Sequence, residues 1–312
     1  MLGCGCTAKL SVKMCQVRGV PAAAAGHKLM HLLLRRVSSR RAAAVVHGAF
    51  DDAQRIRALC DFAAASKRFS HLMRLGHGPS HAELAWIVID GREGVAGDAV
   101  AGFSIARQGW LMGCAHSTGV LSYCRVYCYG CSQDLALGFQ LALESAAGGS
   151  KFGYLMVGAM LRDGRGGAPL DVARAVEMYR LAAGLGLDAA QFRLGRMYQS
   201  GHGVLRDVGE AARWFRLAGD QGHPWSCYEV GECYVEGFGV RRDMEEAVKW
   251  LRRAVVGGDR GAVSRLQEVL GEGVDDDDDD DVDDDDDDGD ADDDHNGNDD
   301  GDDENPDDHN VV

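Results

Sequence analysis

Apolar side chains in residues 187–222 recur every three or four positions within two short segments, which is the spacing of amphipathic helices. The first segment, helix A, places Ala190, Leu194 and Met197 on one face. The second, helix B, follows a short loop and carries its own stripe of small and aromatic side chains. The pattern returns 36 residues later, in residues 223–258. A period of about 20–50 residues predicts a stack of helical hairpins that bury their apolar faces against one another.

Matched positions in the two hairpins indicate what each hairpin requires. Gly195 leaves room for helix B to approach, and Gly201 suits the left-handed conformation that ends helix A. Asp207 is placed to cap helix B, and Glu210 three residues later predicts a capping box. The tryptophans are expected in the core between hairpins. The matched pairs are Gly195 and Gly231, Tyr198 and Tyr234, Gly201 and Gly237, Asp207 and Asp243, Ala211 and Ala247, and Trp214 and Trp250.

Two earlier units show the same pattern less completely. Residues 150–186 place Gly158, Gly164 and Asp171 at the glycine and cap positions, with one residue inserted in the loop. In residues 116–149 the loop is shortened by two residues if Cys124, Tyr127, Gly130 and Asp134 align with Gly195, Tyr198, Gly201 and Asp207. The sequence therefore predicts about four repeats of 36 residues, at 116–149, 150–186, 187–222 and 223–258, with a capping helix at Ala262–Leu270 that completes a solenoid domain over 116–270.

The best-defined unit resembles a known repeat family. Leu194-Gly195, Tyr198, Gly201-His202-Gly203-Val204, Asp207, Ala211 and Trp214-Phe215-Arg216 are similar to the signature of Sel1-like repeats, which are related to tetratricopeptide repeats. The resemblance implies an all-α, right-handed α-solenoid that acts as an adaptor or scaffold for other proteins. Such a role needs no catalytic residues.

Residues 50–115 are predicted to be helical and to precede the repeats. Gly91, Gly94, Gly97 and Asp98 stand ahead of the apolar run Ala99–Ala106, which suggests a decayed repeat whose second helix is about one turn short.

Residues 50–75 are expected to form two short helices. Leu59, Phe62, Phe69 and Leu72 lie in a segment that resembles the last helix of an F-box, and some Sel1-like proteins carry an F-box ahead of their repeats. The Leu-Pro opening and leucine-rich first helix of that family are not recognisable upstream. A helical pair that caps the array is the alternative.

Charge divides the chain into three parts. Residues 271–312 contain 25 acidic side chains and no Lys or Arg, so they account for the net charge of −16 and are predicted to be a disordered polyacidic tail. Residues 1–49 contain eight basic and no acidic side chains, which predicts a basic disordered arm or a transit-like segment. The tail suggests a second alternative function, as a chaperone of basic proteins.

Candidate chemistry is sparse. The ten cysteines are irregularly spaced, which favours reduced thiols and an intracellular location in the cytoplasm or nucleus, with organellar targeting by residues 1–49 as the alternative. Cys124, Cys128 and Cys131 lack a second clean pair to complete a zinc site. No metal, cofactor, enzyme activity, membrane span or direct nucleic-acid contact is predicted.

The predicted function is a non-catalytic protein–protein interaction scaffold. A helical-repeat groove would be lined by side chains of helix A outside the apolar stripe. The partner is a protein, and under the F-box alternative it includes the adaptor subunit of a ubiquitin ligase, for which the chain would be the substrate receptor. The candidate groove residues are Arg193, Arg196, Gln199, Glu229, Glu232 and Glu236.

Overall fold

The computed structural model describes the backbone of residues 25–92 and 94–272, and the side chains of residues 42–92 and 94–271. All regular structure in these residues is α-helical. The helices are α1 (Ala25–Ala58), α2 (Phe62–Arg74), α3 (Gly78–Asp90), α4 (Ala99–Leu111), α5 (Ala115–Tyr127), α6 (Leu135–Ala147), α7 (Lys151–Asp163), α8 (Val172–Gly184), α9 (Asp188–Ser200), α10 (Val208–Asp220), α11 (Pro224–Glu236), α12 (Met244–Val256) and α13 (Gly261–Glu272).

The helices from α3 onwards form a stack of hairpins. The odd-numbered helices from α3 to α13 are helices A, and the even-numbered ones are helices B. Each helix packs against the helix before it and the helix after it, which is the arrangement of an α-solenoid. The predicted all-α solenoid of helical repeats is therefore confirmed.

Helices B begin at aspartate caps, as predicted. The carboxylate of Asp207 accepts the backbone N–H of Glu210 at 3.0 Å, and Asp243 caps α12 in the same way. The predicted capping box is wrong, because the N–H of Asp207 donates to the carbonyl of Tyr198 and the Glu210 side chain pairs with Arg213. Each cap aspartate therefore starts helix B and also holds it to the preceding helix A.

Helices A end at a residue in the left-handed conformation. Gly164, Gly201 and Gly237 hold this position with φ of 62°, 72° and 73°. In the unit that contains α5 the position belongs to Cys128, with φ of 61°, instead of the expected Gly130. Glycine is the common residue in this conformation, so the sequence favoured an alignment shifted by two positions.

The corrected register removes the shortened loop from the α5–α6 unit. Six positions separate the left-handed residue from the cap aspartate both in Cys128–Asp134 and in Gly201–Asp207. The N–H of Asp134 correspondingly donates to the carbonyl of Arg125, the counterpart of Tyr198. The expected alignment of Cys124 with Gly195 was therefore wrong.

The glycine in the middle of helix A receives a large side chain of helix B. A Cβ at Gly195 would lie 2.5 Å from the ring of Phe215, and one at Gly158 would lie 2.8 Å from the ring of Tyr179. Leu251 covers Gly231 in the same way. The predicted close approach of helices A and B is confirmed, and Ala211, Ala247 and the three covering side chains are all buried.

The tryptophans lie between successive hairpins. Trp250 is buried, and its ring would meet a Cβ on Gly219 of the preceding helix B at 2.8 Å. Trp214 is only half-buried, and its neighbour Phe215 occupies the centre of the hairpin. The core position predicted for Trp214 therefore belongs mainly to Phe215.

The α3–α4 hairpin is a complete repeat. Helix α4 contains 13 residues, as helices B elsewhere do, so the expected loss of one turn was wrong. Gly109 resembles a helix stop in sequence, but it lies inside α4, where a Cβ would meet Ser117 of α5. This glycine allows close packing of the two helices and does not end α4.

The segment before α3 continues the same pattern. Asp61 caps the start of α2, and Gly76 lies after the end of α2 with φ of 79°. Each of these two residues precedes its counterpart in the next unit, Asp98 or Gly113, by 37 positions. Phe69 is buried in α2 at the position that Phe215 has in α10. Helix α2 is therefore helix B of one more unit.

The first helix is longer than the sequence suggested. Residues 25–49 were expected to belong to a disordered arm, but they lie in α1, which continues to Ala58. Ala, Leu and Arg dominate this helix, and no proline interrupts it. The expectations for residues 1–24 and for 273–312, most of the acidic tail, concern residues outside the described part of the chain.

Candidate interaction surface

The predicted groove residues lie on two successive helices A, α9 and α11. The structure brings Arg196 and Gln199 together with Glu229, because Arg196 Nη1 lies 3.1 Å from Glu229 Oε1 and Gln199 Nε2 donates to Glu229 Oε2 at 3.1 Å. Glu232 and Glu236 instead pair with a third helix A.

Arg265 of α13 is the residue that the sequence reasoning missed. Its Nε lies 2.8 Å from Glu232 Oε1, and its Nη2 lies 3.1 Å from Glu236 Oε1. The signal was present in the period, because Arg193, Glu229 and Arg265 follow one another at intervals of 36. The contacts thus form two groups, one around Glu229 and one around Arg265. We call the six residues of both groups the polar ladder: Arg196, Gln199, Glu229, Glu232, Glu236 and Arg265.

The polar ladder is half-buried at its centre and open at its edges. The Glu229 side chain is 13% exposed, whereas Arg196 and Glu236 are each 47% exposed. Burial raises the pKa of Glu229, although Arg196 and Gln199 act in the opposite direction. The edge residues therefore remain accessible to another protein.

In the preceding units, the same face of helices A is buried. The counterparts of Arg193 in α3, α5 and α7 are Glu83, Val120 and Met156, and all three are buried. Helix α5 also contacts both α3 and α7 directly. The face formed by helices A thus changes from a buried core to a partly exposed polar surface at α9.

A second group of charged residues lies inside the molecule and was not predicted. Arg57 Nη1 and Lys151 Nζ each lie 2.7 Å from a carboxylate oxygen of Glu83. Arg92 Nη2 lies 2.8 Å from Asp188 Oδ2, and Arg57 Nη2 lies 3.5 Å from Asp188 Oδ1. We call these five residues the buried ion cluster.

The electrostatics of the buried ion cluster favour the charged state of its acids. Burial alone would raise the pKa of Glu83, but Lys151 and Arg57 outweigh it and lower this pKa to about 2. Arg92 and Arg57 likewise hold the pKa of Asp188 far below its usual value against the effect of burial. Both carboxylates therefore stay ionised at neutral pH.

The buried ion cluster ties the first units to later ones. Arg57 lies in the last turn of α1 and Arg92 follows α3, whereas Lys151 and Asp188 begin α7 and α9. Arg92 Nη1 also donates to the carbonyl of Gly222, 130 positions away, at 3.0 Å. Such long-range pairs leave no periodic trace in the sequence, which is why the pattern did not reveal them.

Most of the residues that resemble an F-box are buried inside the molecule. Phe62, Phe69 and Leu72 are buried, and Phe69 packs against α3 and the end of α1. Leu59 is 80% exposed. Three of the four side chains are therefore interior to the molecule and inaccessible to another protein.

The cysteines that resembled a metal site serve the local fold. Cys128 ends α5, Cys124 is buried in α5, and the thiol of Cys131 donates to the carbonyl of Cys124 at 3.4 Å. Burial raises the pKa of Cys124 to about 12. Within the described residues, no group of three or more His, Cys, Asp or Glu side chains is arranged to hold a metal ion.

Equal helical hairpins with one polar face define this molecule as a helical-repeat protein. The family model for the Sel1 repeat matches residues 114–150, 152–187, 188–223 and 226–258. The chain therefore contains four Sel1 repeats between residues 114 and 258, and this repeat generally serves protein–protein interaction. In the described part of the chain, no helix is both long and apolar enough to cross a membrane.

Several solved structures are similar to this chain. A Sel1 repeat protein from Oxalobacter formigenes is 20% identical with a TM-score of 0.50, and the match covers 72% of this chain and 91% of that one. The antigen c5321 of uropathogenic Escherichia coli, which displays an SLR fold, is 22% identical with a TM-score of 0.48, and the match covers 78% of this chain and 52% of that one. A Sel1 repeat protein from Klebsiella pneumoniae is 20% identical with a TM-score of 0.44, covering 66% and 99%. No curated protein matches the chain significantly.

Proposed function

We propose that this protein is a non-catalytic scaffold that binds a protein partner along the polar ladder. The observation that carries the proposal is the change at α9, where the face of helices A ceases to be a buried core and presents partly exposed, paired charges. Helical-repeat proteins bind partners along such continuous surfaces. The exposed Arg196 and Glu236 are the residues that a partner would reach first.

Charge reversal on the polar ladder tests this proposal. Partners would be captured with the full-length wild type and with the full-length variants Arg196→Glu and Glu236→Arg. The control is Arg213→Glu on α10. Arg213 is exposed and forms a similar 3.1 Å ion pair, with Glu210, but it belongs to a helix B. We expect the ladder variants to lose a partner that the wild type and the control retain. A set of captured proteins that is identical in all four samples would contradict the proposal.

The two alternative functions receive no comparable support. Phe62, Phe69 and Leu72 are interior residues of a repeat-like unit, so adaptor binding through them would require that unit to open. The chaperone alternative depends on the tail of residues 271–312, of which 273–312 lie outside the described part of the chain. The scaffold function is the one that residues of the described structure favour.

A further inference from the structure

A cavity of about 520 Å³ lies between the first helices of the molecule and three later ones. One wall is formed by the end of α1, the loop after it and the start of α2, and the other by the ends of α10 and α12 and the start of α11. We call it the inter-unit cavity. Binding sites for small molecules typically have volumes of about 300–1,000 Å³ and walls that are mostly apolar. The inter-unit cavity contains no residue of the polar ladder, so it is a separate candidate site.

Specific contacts hold the two walls of the inter-unit cavity together. The thiol of Cys60 donates to the carbonyl of Asp220 at 3.6 Å, and Arg92 Nη1 donates to the carbonyl of Gly222 at 3.0 Å. Gly222 lets the walls approach, because a Cβ there would lie 3.0 Å from Cys60 Sγ and 3.3 Å from the ring of Phe62. These contacts fix the border of the cavity in the absence of a ligand.

The walls of the inter-unit cavity carry apolar side chains on both sides. Phe62 is a buried part of one wall, and Pro224 belongs to the other. Leu59 and Val256 also line the cavity, from opposite walls, and they are 80% and 64% exposed. The cavity therefore opens to solvent beside apolar side chains, whose burial by an apolar ligand would be favourable.

Two consecutive arginines of α12 also line the inter-unit cavity. Arg253 is already engaged, because its Nη2 donates to the carbonyl of Gly219 at 2.8 Å and its guanidinium lies 4.1 Å from the centre of the Trp250 ring. Its Nη1 lies 3.8 Å from the carboxylate of Asp220, which lines the cavity as well. Arg252 is exposed and forms no ion pair or hydrogen bond within the described part of the chain.

The charge balance of the cavity favours a ligand with a single negative charge. Arg92 also lines the cavity, but its charge is balanced by the carboxylate of Asp188 at 2.8 Å. Arg252 therefore contributes a positive charge that no described carboxylate balances. One carboxylate group matches this charge, whereas a phosphate group, with about two negative charges, would leave an excess beside Asp220.

We propose that the inter-unit cavity binds a small amphipathic carboxylate, a molecule with an aliphatic body and one carboxylate group. The aliphatic body would lie between Leu59, Phe62 and Val256, and the carboxylate would pair with the guanidinium of Arg252. A molecule in this position contacts both walls, so its binding would stabilise the contact between the first units and the later ones.

Octanoate is the probe that tests the charge requirement. Its binding would be measured by isothermal titration calorimetry with the full-length wild type and with full-length Arg252→Gln. We expect the variant to bind octanoate about tenfold or more weakly, since a hydrogen bond to a charged group is lost. Octanol, which has the same chain without the charge, should bind equally to both proteins. The control is Arg216→Gln, because Arg216 is exposed at the same position of α10, 36 residues earlier, and does not line the cavity.

Alkylation of cysteines by iodoacetamide, followed by mass spectrometry, locates the bound molecule. Cys60 is partly exposed and lines the inter-unit cavity, whereas Cys128 is exposed at the end of α5. Octanoate should slow the alkylation of Cys60 and leave that of Cys128 unchanged. In Arg252→Gln the same concentration of octanoate should protect Cys60 less.

Several outcomes would overturn the proposal. These are failure of the wild type to bind octanoate, equal affinity of the wild type and Arg252→Gln for it, and unchanged alkylation of Cys60 when octanoate is bound. Tighter binding of octyl phosphate than of octanoate would assign the cavity to a phosphate ester. Binding of a short peptide with a free carboxyl-terminal leucine, without binding of octanoate, would assign it to the end of a protein chain. None of these results involves the polar ladder, so the scaffold function is tested separately.

Discussion

The guanidinium of Arg92 lies 2.8 Å from the carboxylate of Asp188, across 96 positions of sequence, and both side chains are almost completely buried. This pair joins the loop after α3 to the first turn of α9. Taking two charges out of water is unfavourable, and their attraction compensates only while both partners are present. The contact therefore makes the early and late units of the solenoid dependent on each other.

Loss of one partner should reveal this dependence. Asp188→Asn leaves Arg92 and Arg57 buried without their shared carboxylate, so we expect about 3–5 kcal/mol lower free energy of unfolding. Urea denaturation followed by circular dichroism would measure it. The control is Arg213→Met at the exposed Arg213–Glu210 pair, where about 1 kcal/mol or less is expected. Similar losses in the two variants would contradict the interior role of Asp188.

Acid should weaken the start of α11 through His223. Burial, with a further contribution from Arg92, lowers the pKa of this histidine to about 3. Its Nδ1 accepts the backbone N–H of Ser226 at 3.2 Å, a cap that only the neutral ring can provide. Between about pH 6.5 and 3 the unfolded state binds a proton that the folded state does not, so stability falls as pH falls.

His223→Asn tests this relationship. Asparagine is a good N-cap residue and does not titrate, so the cap should survive while the proton uptake on unfolding disappears. The wild type should lose up to about 1.4 kcal/mol per pH unit more than the variant below pH 6. Urea denaturation at several pH values between 7.5 and 4.5 gives the two slopes. Parallel slopes would show that His223 does not control the acid response.

Replacing the second glycine of the loop between helix A and helix B should destabilise the protein more than replacing a glycine of the same conformation elsewhere. Gly239 has φ of 71°, and a Cβ there would collide with the backbone of Val208 at the start of the preceding helix B. Gly186 has φ of 77° with no atom within 4 Å of its Cβ position. Gly186→Ala should therefore lose only the backbone preference, about 1–2 kcal/mol.

Gly239→Ala should lose distinctly more than Gly186→Ala, because steric overlap adds to the same backbone penalty. Thermal unfolding of the two variants beside the wild type is the measurement. Equal unfolding midpoints in the two variants would contradict this prediction. They would mean that the loop moves away from Val208 without loss of stability, so that the contact between hairpins is not tightly packed.

The sequence predicted the features that are determined locally. Asp207 as a cap, Gly201 as the end of α9 and Gly195 as the crossing point all depend on neighbours within one hairpin, so a repeated pattern exposes them. Cys128 was missed because it adopts a conformation that glycine usually provides. Phe69 was interpreted through a short family resemblance, although its spacing from Asp61 equals that of Phe215 from Asp207.

The contacts between distant units could not be predicted in the same way. Arg57, Arg92 and Asp188 meet although they belong to three different units, and no repeat position distinguishes these residues. The groove prediction shows both cases. The pairing of Arg196 with Glu229 involves adjacent repeats. Arg265 belongs to α13, where no further pattern of glycine and aspartate indicates a repeat, so its pairing was not predicted.

Phe215, not Trp214, should be the main anchor of its hairpin. Phe215 is completely buried over Gly195, so Phe215→Ala removes a core ring and should lower the free energy of unfolding by about 3–5 kcal/mol. The half-buried Trp214 has an indole N–H that is buried without a partner, so Trp214→Phe should change stability by less than about 1 kcal/mol. Urea denaturation of both variants decides between them, with Leu217→Ala on the exposed side of α10 as the control. A larger loss in Trp214→Phe than in Phe215→Ala would place the core of the repeat at the tryptophan, as the matched spacing of Trp214 and Trp250 first suggested.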